Sequence, residues 1–506
     1  MELELKKERL ENFEIAACIR TEQEESAENI VPDSLPDIGK LITKEGKVFV
    51  RTCDIREEKA EVAGVVEVTV VYLSENGTLK AIKTELPFQL TEACPKSAEK
   101  LRVNVWIEEL FARTLNPRKW QVKCRLQAEL TAYERREEHF CSCYCGENEN
   151  VECLQQKESA MLLTEFSEKD FTYEDTLSLV SGHGRVTEVL LSKISGTINE
   201  TKISGNKVSV KGIYFADFLL AYENGSYETV SYELPFAQLC DGTAAEEARV
   251  EVGIRLTGMD CKLFGAGENE QTLAISVFTH LDVVTAAKWE YSVLRDIYST
   301  AQTTETEMNE LRLLHAIEPT VRRQIWQDNV EIGTAAESIL HISAGAGSVK
   351  LIRMEGCIEF STNVHLQIIY RTQEGKILAA ERNPEIKLSL NISDKTDVSC
   401  RAVPGAELSA VITGESIAVR VPVDFILTQR EQKIVSYVKN ARCTEDAEDG
   451  SHKAPSLILR RREAGETLWT LAKRYRTTAN DILSANGCSA ENDLPAEKLL
   501  LIPKRR

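Results

Sequence analysis

The sequence predicts a mainly β protein, built from three β-rich, sandwich-like repeats followed by a small α+β domain of βααβ order. Long stretches alternate apolar and polar residues, the pattern of half-buried strands. Similar segments return along the chain at nearly constant spacing. The last part of the chain instead places apolar residues at helical spacing. The predicted boundaries are 1–150, 151–303 and 304–443 for the repeats, 444–456 for a linker and 457–506 for the last domain.

The repeats are indicated by three segments that each read as a strand ending in tyrosine, a glycine turn and a second strand running into a proline. These segments are Val66–Leu90, Phe215–Leu239 and Val364–Leu388, and their prolines are Pro87, Pro235 and Pro384. The prolines lie 148 and 149 residues apart. Because three copies at constant spacing rarely arise by chance, we predict three related units.

Tight turns are predicted inside each unit. Asn76-Gly77 and Asn224-Gly225 stand between alternating apolar runs, which is the strongest short-range signal for a β-hairpin. Glu374-Gly375 is a weaker version of the same signal. Further strands are predicted at Leu101–Ile107, Gln121–Tyr133, Arg249–Leu256, Thr272–Val284, Glu407–Ile412 and Ile417–Leu427.

One helical connector is predicted at Thr304–Glu318, between the second and third units. Met308, Leu311 and Leu314 share one face at helical spacing, and Pro319 is expected to end the helix. Two glycine-rich segments, 182–184 and 343–348, lack the lysine of a phosphate-binding loop and are read as turns.

The last domain begins with a short apolar strand, Leu457–Leu459. A helix follows whose apolar face carries Leu468, Leu471, Ala472 and Tyr475. Thr478 is a predicted cap for a second helix because Asp481 stands three residues later. Asn486-Gly487 is expected to end that helix, and a closing strand precedes Pro503.

This segment resembles the LysM domain through Gly465-Glu466-Thr467-Leu468-Trp469, Asn486 and the spacing of Leu494 before the last strand. The resemblance implies binding of N-acetylglucosamine glycans, mainly peptidoglycan, in a groove between the strand–helix loops. Two residues depart from the family: Glu466 replaces an aspartate, and Glu497 takes the place of a turn glycine. The candidate ligand- or partner-binding residues are Gly465, Glu466, Thr467, Leu468, Trp469, Asn486 and Leu494.

Trp469 is the strongest single candidate contact because it lies one position off the apolar stripe and is expected to be exposed. It would stack on a sugar ring or anchor a protein interface. The alternative is that Trp469 and Tyr475 both belong to the core of this small domain. The arginines at 460–462 and the basic residues at 504–506 either meet an acidic partner or keep the termini solvated.

The segment Pro32–Ile38, leading into the first hairpin, resembles the SPOCS domain of endospore-forming Firmicutes. Several SPOCS units followed by one LysM module look like the SipL-type spore-coat morphogenetic proteins. The resemblance implies a scaffold in the mother-cell cytoplasm, at the forespore surface or spore coat. It also implies binding to a coat morphogenetic ATPase or to other coat proteins.

Charge and hydropathy exclude several classes of function. The 506-residue chain has a formal net charge of −19, which argues against nucleic-acid binding. Residues 457–506 nevertheless carry ten basic and six acidic residues, so a basic module follows an acidic body. We expect no signal peptide and no membrane span, and we expect the fourteen cysteines to be reduced in the cytosol.

Only one cluster suggests metal chemistry: Cys141, Cys143 and Cys145, with Cys153 eight residues later. Four thiolates are enough for a tetrahedral site, but the spacing is not the usual Cys-x-x-Cys. The favoured interpretation is a solvent-side loop of reduced cysteines, or occasional disulfide cross-linking within an assembled coat. The seven histidines are isolated, and neither a zinc-protease nor a nucleophile-elbow motif is present. A distant Cys–His pair stays open. We therefore predict no enzyme and no cofactor.

The predicted function is that of a non-enzymatic coat-assembly scaffold that docks on a coat morphogenetic protein through its LysM domain. Repeated β units favour a scaffold because they present extended surfaces to partners. The alternative is a protein that binds peptidoglycan of the cell wall or spore cortex. A third hypothesis is a metalloprotein built on the cysteine cluster.

Overall fold

A computed structural model describes residues 1–179, 184–242, 248–265, 271–405, 407–444, 457–463, 465–491, 494 and 499–504. Several predicted features lie outside the described residues: the linker beyond Thr444, the turn around His183, His452, Glu497, Arg505 and Arg506. Among the described residues, no helix is long and apolar enough to cross a membrane.

Nearly all described residues before the linker form strands. Unit 1 contains β1 (Leu5–Ile30), β2 (Ile38–Arg56), β3 (Lys59–Ser74), β4 (Leu79–Ala93), β5 (Ala98–Asn116) and β6 (Lys119–Tyr144). Unit 2 contains β7 (Val151–Ser178), β8 (Val186–Ser204), β9 (Lys207–Tyr222), β10 (Tyr227–Asp241), β11 (Arg249–Phe264) and β12 (Thr272–Ser299). Unit 3 contains β13 (Thr303–Glu331), β14 (Ala336–Met354), β15 (Cys357–Thr372), β16 (Ile377–Arg382), β17 (Glu385–Leu390), β18 (Asp397–Pro404), β19 (Ser409–Thr413) and β20 (Ser416–Thr444).

The C-terminal domain contains β21 (Leu457–Arg461), α1 (Leu468–Tyr475), α2 (Ala479–Ala485) and β22 (Leu499–Pro503). This order is the predicted βααβ order. The strands of the three units and the element order of this domain confirm the predicted fold class, a mainly β chain that ends in a small α+β domain.

In each unit, a layer of long antiparallel strands packs against a shorter antiparallel sheet. The long strands of units 1 and 2 belong to one six-stranded sheet, because β1 pairs with β7 at Phe13 and Leu163. The first and last strands of a unit are long and pair along their whole length: β1 with β6, β7 with β12, and β13 with β20. A shorter meander packs across them: β2-β3-β4, β8-β9-β10, and β14-β15 with β16 and β17. Apolar residues of the two sheets interdigitate and form one core in each unit.

The meanders have matching dimensions. β2, β8 and β14 each contain 19 residues, and β3, β9 and β15 each contain 16. The predicted turn glycines Gly77, Gly225 and Gly375 all have φ between 77° and 79°, the left-handed region that glycine tolerates best. In unit 3 the strand corresponding to β4 is broken into β16 and β17 at Asn383-Pro384, where the Glu-Leu-Pro-Phe sequence is lost.

A glycine and a phenylalanine face each other across the meander in two units. Gly64 pairs with Phe88, and Gly212 pairs with Phe236. The ring covers the bare backbone so closely that a Cβ on Gly212 would lie 2.4 Å from the Phe236 ring and 2.4 Å from the Thr197 carbonyl oxygen. In unit 3 both partners differ, because Thr362 pairs with Ile386. Ring and glycine therefore act as one packing element.

Two larger apolar clusters join the three units, and a smaller one gathers Phe13, Phe166 and Ile317. The first, which we call the apolar junction, takes residues from all three meanders, including Val71 and Leu79, Leu191 and Leu219, and Leu340 and Ile369. The second gathers the far ends of the long strands around Phe140, Tyr291, Leu311 and Tyr437. Because each unit contributes to both clusters, the units form one continuous body.

A buried ionic network also joins the three units, and we call it the charged junction. Arg102 of β5 lies 3.4 Å from Glu251 of β11 and 3.4 Å from Asp282 of β12. Arg430 of β20 donates to Glu251 at 2.8 Å. Burial alone would raise the pKa of Glu251, but Arg430 and Arg102 outweigh it, so this pKa lies below its usual range.

The predicted helical connector is wrong, because Thr304–Glu318 lies inside β13. Leu311 and Leu313 are buried at alternate positions, whereas Met308 of the supposed helical face is exposed. Pro319 does not end the element, since β13 is an edge strand and an edge position does not require the missing N–H. Register shifts near Met308 and Leu314 interrupt the alternation of buried and exposed residues along β13. The apolar residues therefore fall by chance at the spacing of a helix.

The glycine-rich segment 343–348 is also not a turn, as it lies within β14. Its register against β15 shifts between Ala346 and Val349. The backbone N–H of Ser348 donates to Glu108 of unit 1 at 2.7 Å, and Gly347 lies close to the same carboxylate. A small residue is favoured at Gly347 because Glu108 of unit 1 approaches the backbone of the bulged strand there.

We expect Arg430→Met to reduce the free energy of unfolding by about 3–5 kcal/mol, since it leaves Glu251 buried with one fewer partner. The measurement is urea unfolding at neutral pH. The matched control is Arg442→Met, an exposed ion pair with Glu305, with an expected loss below about 1 kcal/mol. Equal losses in the two variants would contradict a special role for the charged junction.

The same network predicts a pH dependence. The pKa of Glu251 is lower in the folded chain than in the unfolded chain, so its stabilising contribution is complete above the ordinary glutamate pKa of about 4.3. That contribution is lost as the pH falls through the lower, folded value. We therefore expect the difference in free energy of unfolding between the wild type and Arg430→Met to become smaller as the pH is lowered. Unfolding at a series of pH values measures this difference.

We expect Gly212→Ala to destabilise the chain by about 1–3 kcal/mol, because the new methyl group meets both a carbonyl oxygen and the Phe236 ring. Gly345→Ala is the control. A Cβ at this position would have no atom within 4 Å, and Gly345 is not among the glycines with a positive φ. Thermal unfolding compares the two variants. An unchanged Tm for Gly212→Ala would disprove the proposed packing element.

Candidate binding surface of the C-terminal domain

Local sequence explains both helices of the C-terminal domain. Thr467 caps α1, and its hydroxyl accepts from the Thr470 N–H at 3.2 Å, while the Thr467 N–H donates to the Thr470 hydroxyl at 3.0 Å. Thr478 caps α2 as predicted, accepting from the Asp481 N–H at 3.0 Å. Arg476 ends α1 in the left-handed conformation, with a φ of 52°.

The predicted apolar stripe forms most of the core of the domain. Leu468, Leu471 and Ala472 are buried, together with Ile482, Leu494, Leu500 and Ile502. Tyr475 is only half-buried, and its hydroxyl accepts from Arg460 at 3.2 Å. Two candidate contact residues, Leu468 and Leu494, therefore lie in the core.

Asn486, another candidate, has all its polar atoms engaged inside the domain. Its amide nitrogen donates to the carbonyl oxygens of Ile482 and Leu501, each at 2.7 Å. Its amide oxygen accepts from the Leu501 N–H at 2.9 Å. Asn486 thus joins the end of α2 to β22, which is a structural role.

The first strand–helix loop is organised around Glu466. Its carboxylate accepts from Arg460 and Arg474, each at 2.8 Å. The Glu463 N–H also donates to it at 3.0 Å, and these partners lower the pKa of Glu466. Gly465 stands beside it with a φ of 87°, which requires glycine. Gly465 and Thr467 are exposed at the surface of this loop.

The loop after α2 is linked to the first loop by Glu491. This carboxylate accepts from the Leu468 N–H at 2.8 Å and from Arg462 at 2.6 Å. A negative charge at the first turn of α1 also suits the helix dipole. The two loops that flank the expected glycan groove are therefore held together by Glu491, a residue that sequence reasoning did not select.

Trp469 does not have the free exposure predicted for it. Its indole N–H donates to Asp296 of β12 at 2.8 Å, and its ring meets Tyr298 edge-on at 4.9 Å. Lys473 donates to the other oxygen of Asp296 at 2.6 Å. The Tyr298 hydroxyl donates to the Thr477 carbonyl oxygen at 2.7 Å, and Tyr298 itself is buried. Helix α1 therefore packs on the end of unit 2.

Sequence reasoning missed Asp296 and Tyr298. Both lie far from the domain in the chain, and neither belongs to a motif. Only the docking of α1 on β12 brings them to Trp469 and Lys473.

The outer face of the β21–β22 sheet carries exposed leucines. Side chains alternate along both strands, so that Ile458, Leu500 and Ile502 pack under the helices and their neighbours point outward. The exposed fractions are 48% for Leu457, 58% for Leu459 and 60% for Leu499. On a sheet of two five-residue strands, three such side chains form an apolar face, which we call the leucine face. Arg461 is exposed beside it.

The four cysteines of the candidate metal cluster differ in exposure. Cys141 is buried, Cys143 and Cys153 are half-buried, and Cys145 is exposed. A bulge at Ser142 interrupts the alternation that would align Cys141 with Cys143, and the Cys141 thiol lies 3.4 Å from the Lys439 carbonyl oxygen. Burial raises the pKa of Cys141 and Cys153, which favours thiols over metal-binding thiolates. Within the described residues, no three Cys, His, Asp or Glu side chains are grouped to hold a metal ion.

Family comparisons agree with these features at both ends of the chain. Residues 37–114 match the SPOCS domain of the SipL family, and this stretch contains all of β2, β3 and β4 and most of β5. Residues 463–503 match the LysM domain and include both helices. A comparison with curated proteins gave no match, and neither did one with solved structures.

The fold and these matches define a β-rich, sporulation-related protein with a LysM binding module. More particularly, the chain is similar to the SPOCS domain of the SipL family near one end and to the LysM domain at the other. SPOCS and LysM are binding domains of non-catalytic type.

The contact between α1 and unit 2 predicts an energetic coupling between Asp296 and Lys473. In a double-mutant cycle with Asp296→Asn and Lys473→Met, we expect a coupling energy of up to about 1 kcal/mol, since both groups are partly exposed. Unfolding of the full chain in urea provides the measurement. Additive effects would contradict the docked position of the domain.

Proposed function

We propose that this protein is a non-enzymatic scaffold for spore-coat assembly, whose LysM domain docks on a coat morphogenetic protein. The ATPase implied by the family resemblance is the proposed partner. The protein would act in the mother-cell cytoplasm, at the surface of the forespore. Its β-sandwich units would supply surfaces for further coat components.

The observation that carries this proposal is the leucine face. Carbohydrate sites rely on aromatic rings and polar groups, whereas exposed aliphatic side chains on a flat sheet suit a protein surface. The aromatic residue best suited to a sugar, Trp469, is engaged by Asp296 and Tyr298. The leucine face thus offers the better contact.

Charge supports a partner with acidic groups around an apolar patch. Residues 457–506 have four more basic than acidic residues, while the remainder of the chain is strongly acidic. Arg461 lies beside the leucine face, so an acidic rim would complement it and speed association. The net negative charge of the residues before the LysM domain would repel an acidic partner from the units. This repulsion favours binding at the LysM domain.

We expect the double variant Leu459→Glu, Leu499→Glu to capture at least about tenfold less coat morphogenetic ATPase than the wild type, because two charges would be buried in the interface. Tagged full-length chains are incubated with lysate of sporulating cells, and the ATPase is quantified by mass spectrometry. Met308→Glu, at an exposed apolar position of β13, is the control. A chain without residues 457–506 gives the background.

Equal capture of the ATPase by the wild type, the double variant and the truncated chain would refute docking through this domain. Loss with the truncated chain but not with the double variant would move the interface away from the leucine face.

Peptidoglycan binding is the second candidate function, favoured by the LysM match and by the exposure of Gly465 and Thr467 in the first loop. It predicts that the full chain sediments with purified peptidoglycan and that deletion of residues 457–506 abolishes sedimentation. The leucine-face variant would still sediment, which separates this function from protein docking.

A further inference from the structure

A cavity of about 650 Å³ lies where strands of all three units meet. Its walls come from β2 and β5 of unit 1, β8 and β11 of unit 2, and β14 and β18 of unit 3. This volume falls in the range of small-molecule sites, which is about 300–1,000 Å³. Five basic side chains line it: Lys44, Lys47, Lys193, Arg255 and Arg401.

The lysines are compensated by carboxylates. Lys44 lies 2.7 Å from Glu381, Lys47 lies 2.7 Å from Glu67, and Lys193 lies 3.6 Å from Glu45. Glu109, the remaining acidic residue of the wall, pairs with Arg125 at 2.9 Å. These pairs leave the two arginines as the excess charge.

Arg255 and Arg401 have no carboxylate within 4 Å in the part of the chain that the structure describes. The Nε and Nη1 atoms of Arg255 are buried without a hydrogen-bond partner. Its neighbour is the Cys53 thiol, and burial raises the pKa of this thiol to about 11, so the thiol is neutral and supplies no counter-charge. A guanidinium with two buried nitrogens left unpaired is costly, and a bound anion would remove that cost.

Arg401 lies near the charged junction, which cannot neutralise it. Burial lowers the pKa of Arg401, and the nearby Arg102 lowers it further. Glu251 and Asp282 act in the opposite direction, but they already serve Arg102 and Arg430. Three guanidinium groups, those of Arg102, Arg401 and Arg430, thus share the two carboxylates of Glu251 and Asp282. Arg255 adds a second uncompensated positive charge at the cavity wall, within a chain whose net charge is −19.

We propose that this cavity binds a small dianion of the phosphate class, held by Arg255 and Arg401. A guanidinium presents paired N–H donors whose geometry matches phosphate oxygens, and two of them balance two negative charges. The ligand would contact all three units, so its binding would stabilise their assembled arrangement.

The test uses the full chain in a phosphate-free buffer at constant ionic strength. Isothermal titration is carried out with inorganic phosphate, with pyrophosphate and with succinate, and the Tm is measured with each. We expect saturable binding of one phosphate or pyrophosphate per chain and a rise in Tm, with weaker binding of succinate. Absence of saturable heat with both phosphate ligands would overturn the proposal, and so would equal affinity for succinate.

Variants at the two arginines locate the site. Arg401→Gln and Arg255→Gln should each weaken binding at least about tenfold, because one charge-assisted contact is lost. Arg442→Gln, far along β20 and paired with Glu305 on the surface, should bind as the wild type does. Without ligand, Arg401→Gln should be at least as stable as the wild type, since it removes an unbalanced charge.

Wild-type affinity in either cavity variant would overturn the assignment of these arginines. If Arg401→Gln does not fold, Arg401→Lys serves in its place. This variant retains the charge but loses the paired donors, and the proposal requires it to bind phosphate more weakly.

Discussion

The fold depends on a constraint at its centre, where three sandwiches bury both charge and apolar surface against one another. Glu251 of unit 2 is held between Arg102 of unit 1 and Arg430 of unit 3. Buried ions are destabilising unless their partners are correctly placed, so Glu251 keeps both of its arginine partners only when all three units take their native positions. The apolar junction supplies the driving force for association, and the charged junction selects one arrangement.

The position of the LysM domain follows from the same body. The long strands of the three units end together around Phe140, Tyr291 and Tyr437, and β12 carries Asp296 and Tyr298 on either side of Ile297, a residue of the same cluster. Helix α1 packs against these two residues, and Asp296 accepts hydrogen bonds from Trp469 and Lys473. The domain is therefore oriented by its contact with unit 2, which leaves the leucine face and the first loop exposed.

The candidate site was predictable only in part. The candidates were the residues that match the LysM pattern, and several of them are structural: Leu468 and Leu494 fill the core, and Asn486 connects α2 with β22. A family motif contains residues that stabilise the fold as well as residues that bind a ligand, so matching the motif does not separate the two. Glu491 and the leucine face went unnoticed because exposure and loop–loop contacts depend on the assembled domain.

The sequence by itself determined the local structure. Alternation and glycine turns predicted most of the strands and the hairpins of the meanders, because these signals act over a few residues. For the same reason, apolar spacing predicted α1, and Thr478 with Asp481 predicted α2. The prediction of a helix at Thr304–Glu318 was wrong, because bulges shift the alternation of apolar residues in this strand. Only the tertiary structure decided how the units meet, where the unbalanced arginines lie and what Trp469 contacts, since each of these joins residues more than a hundred positions apart.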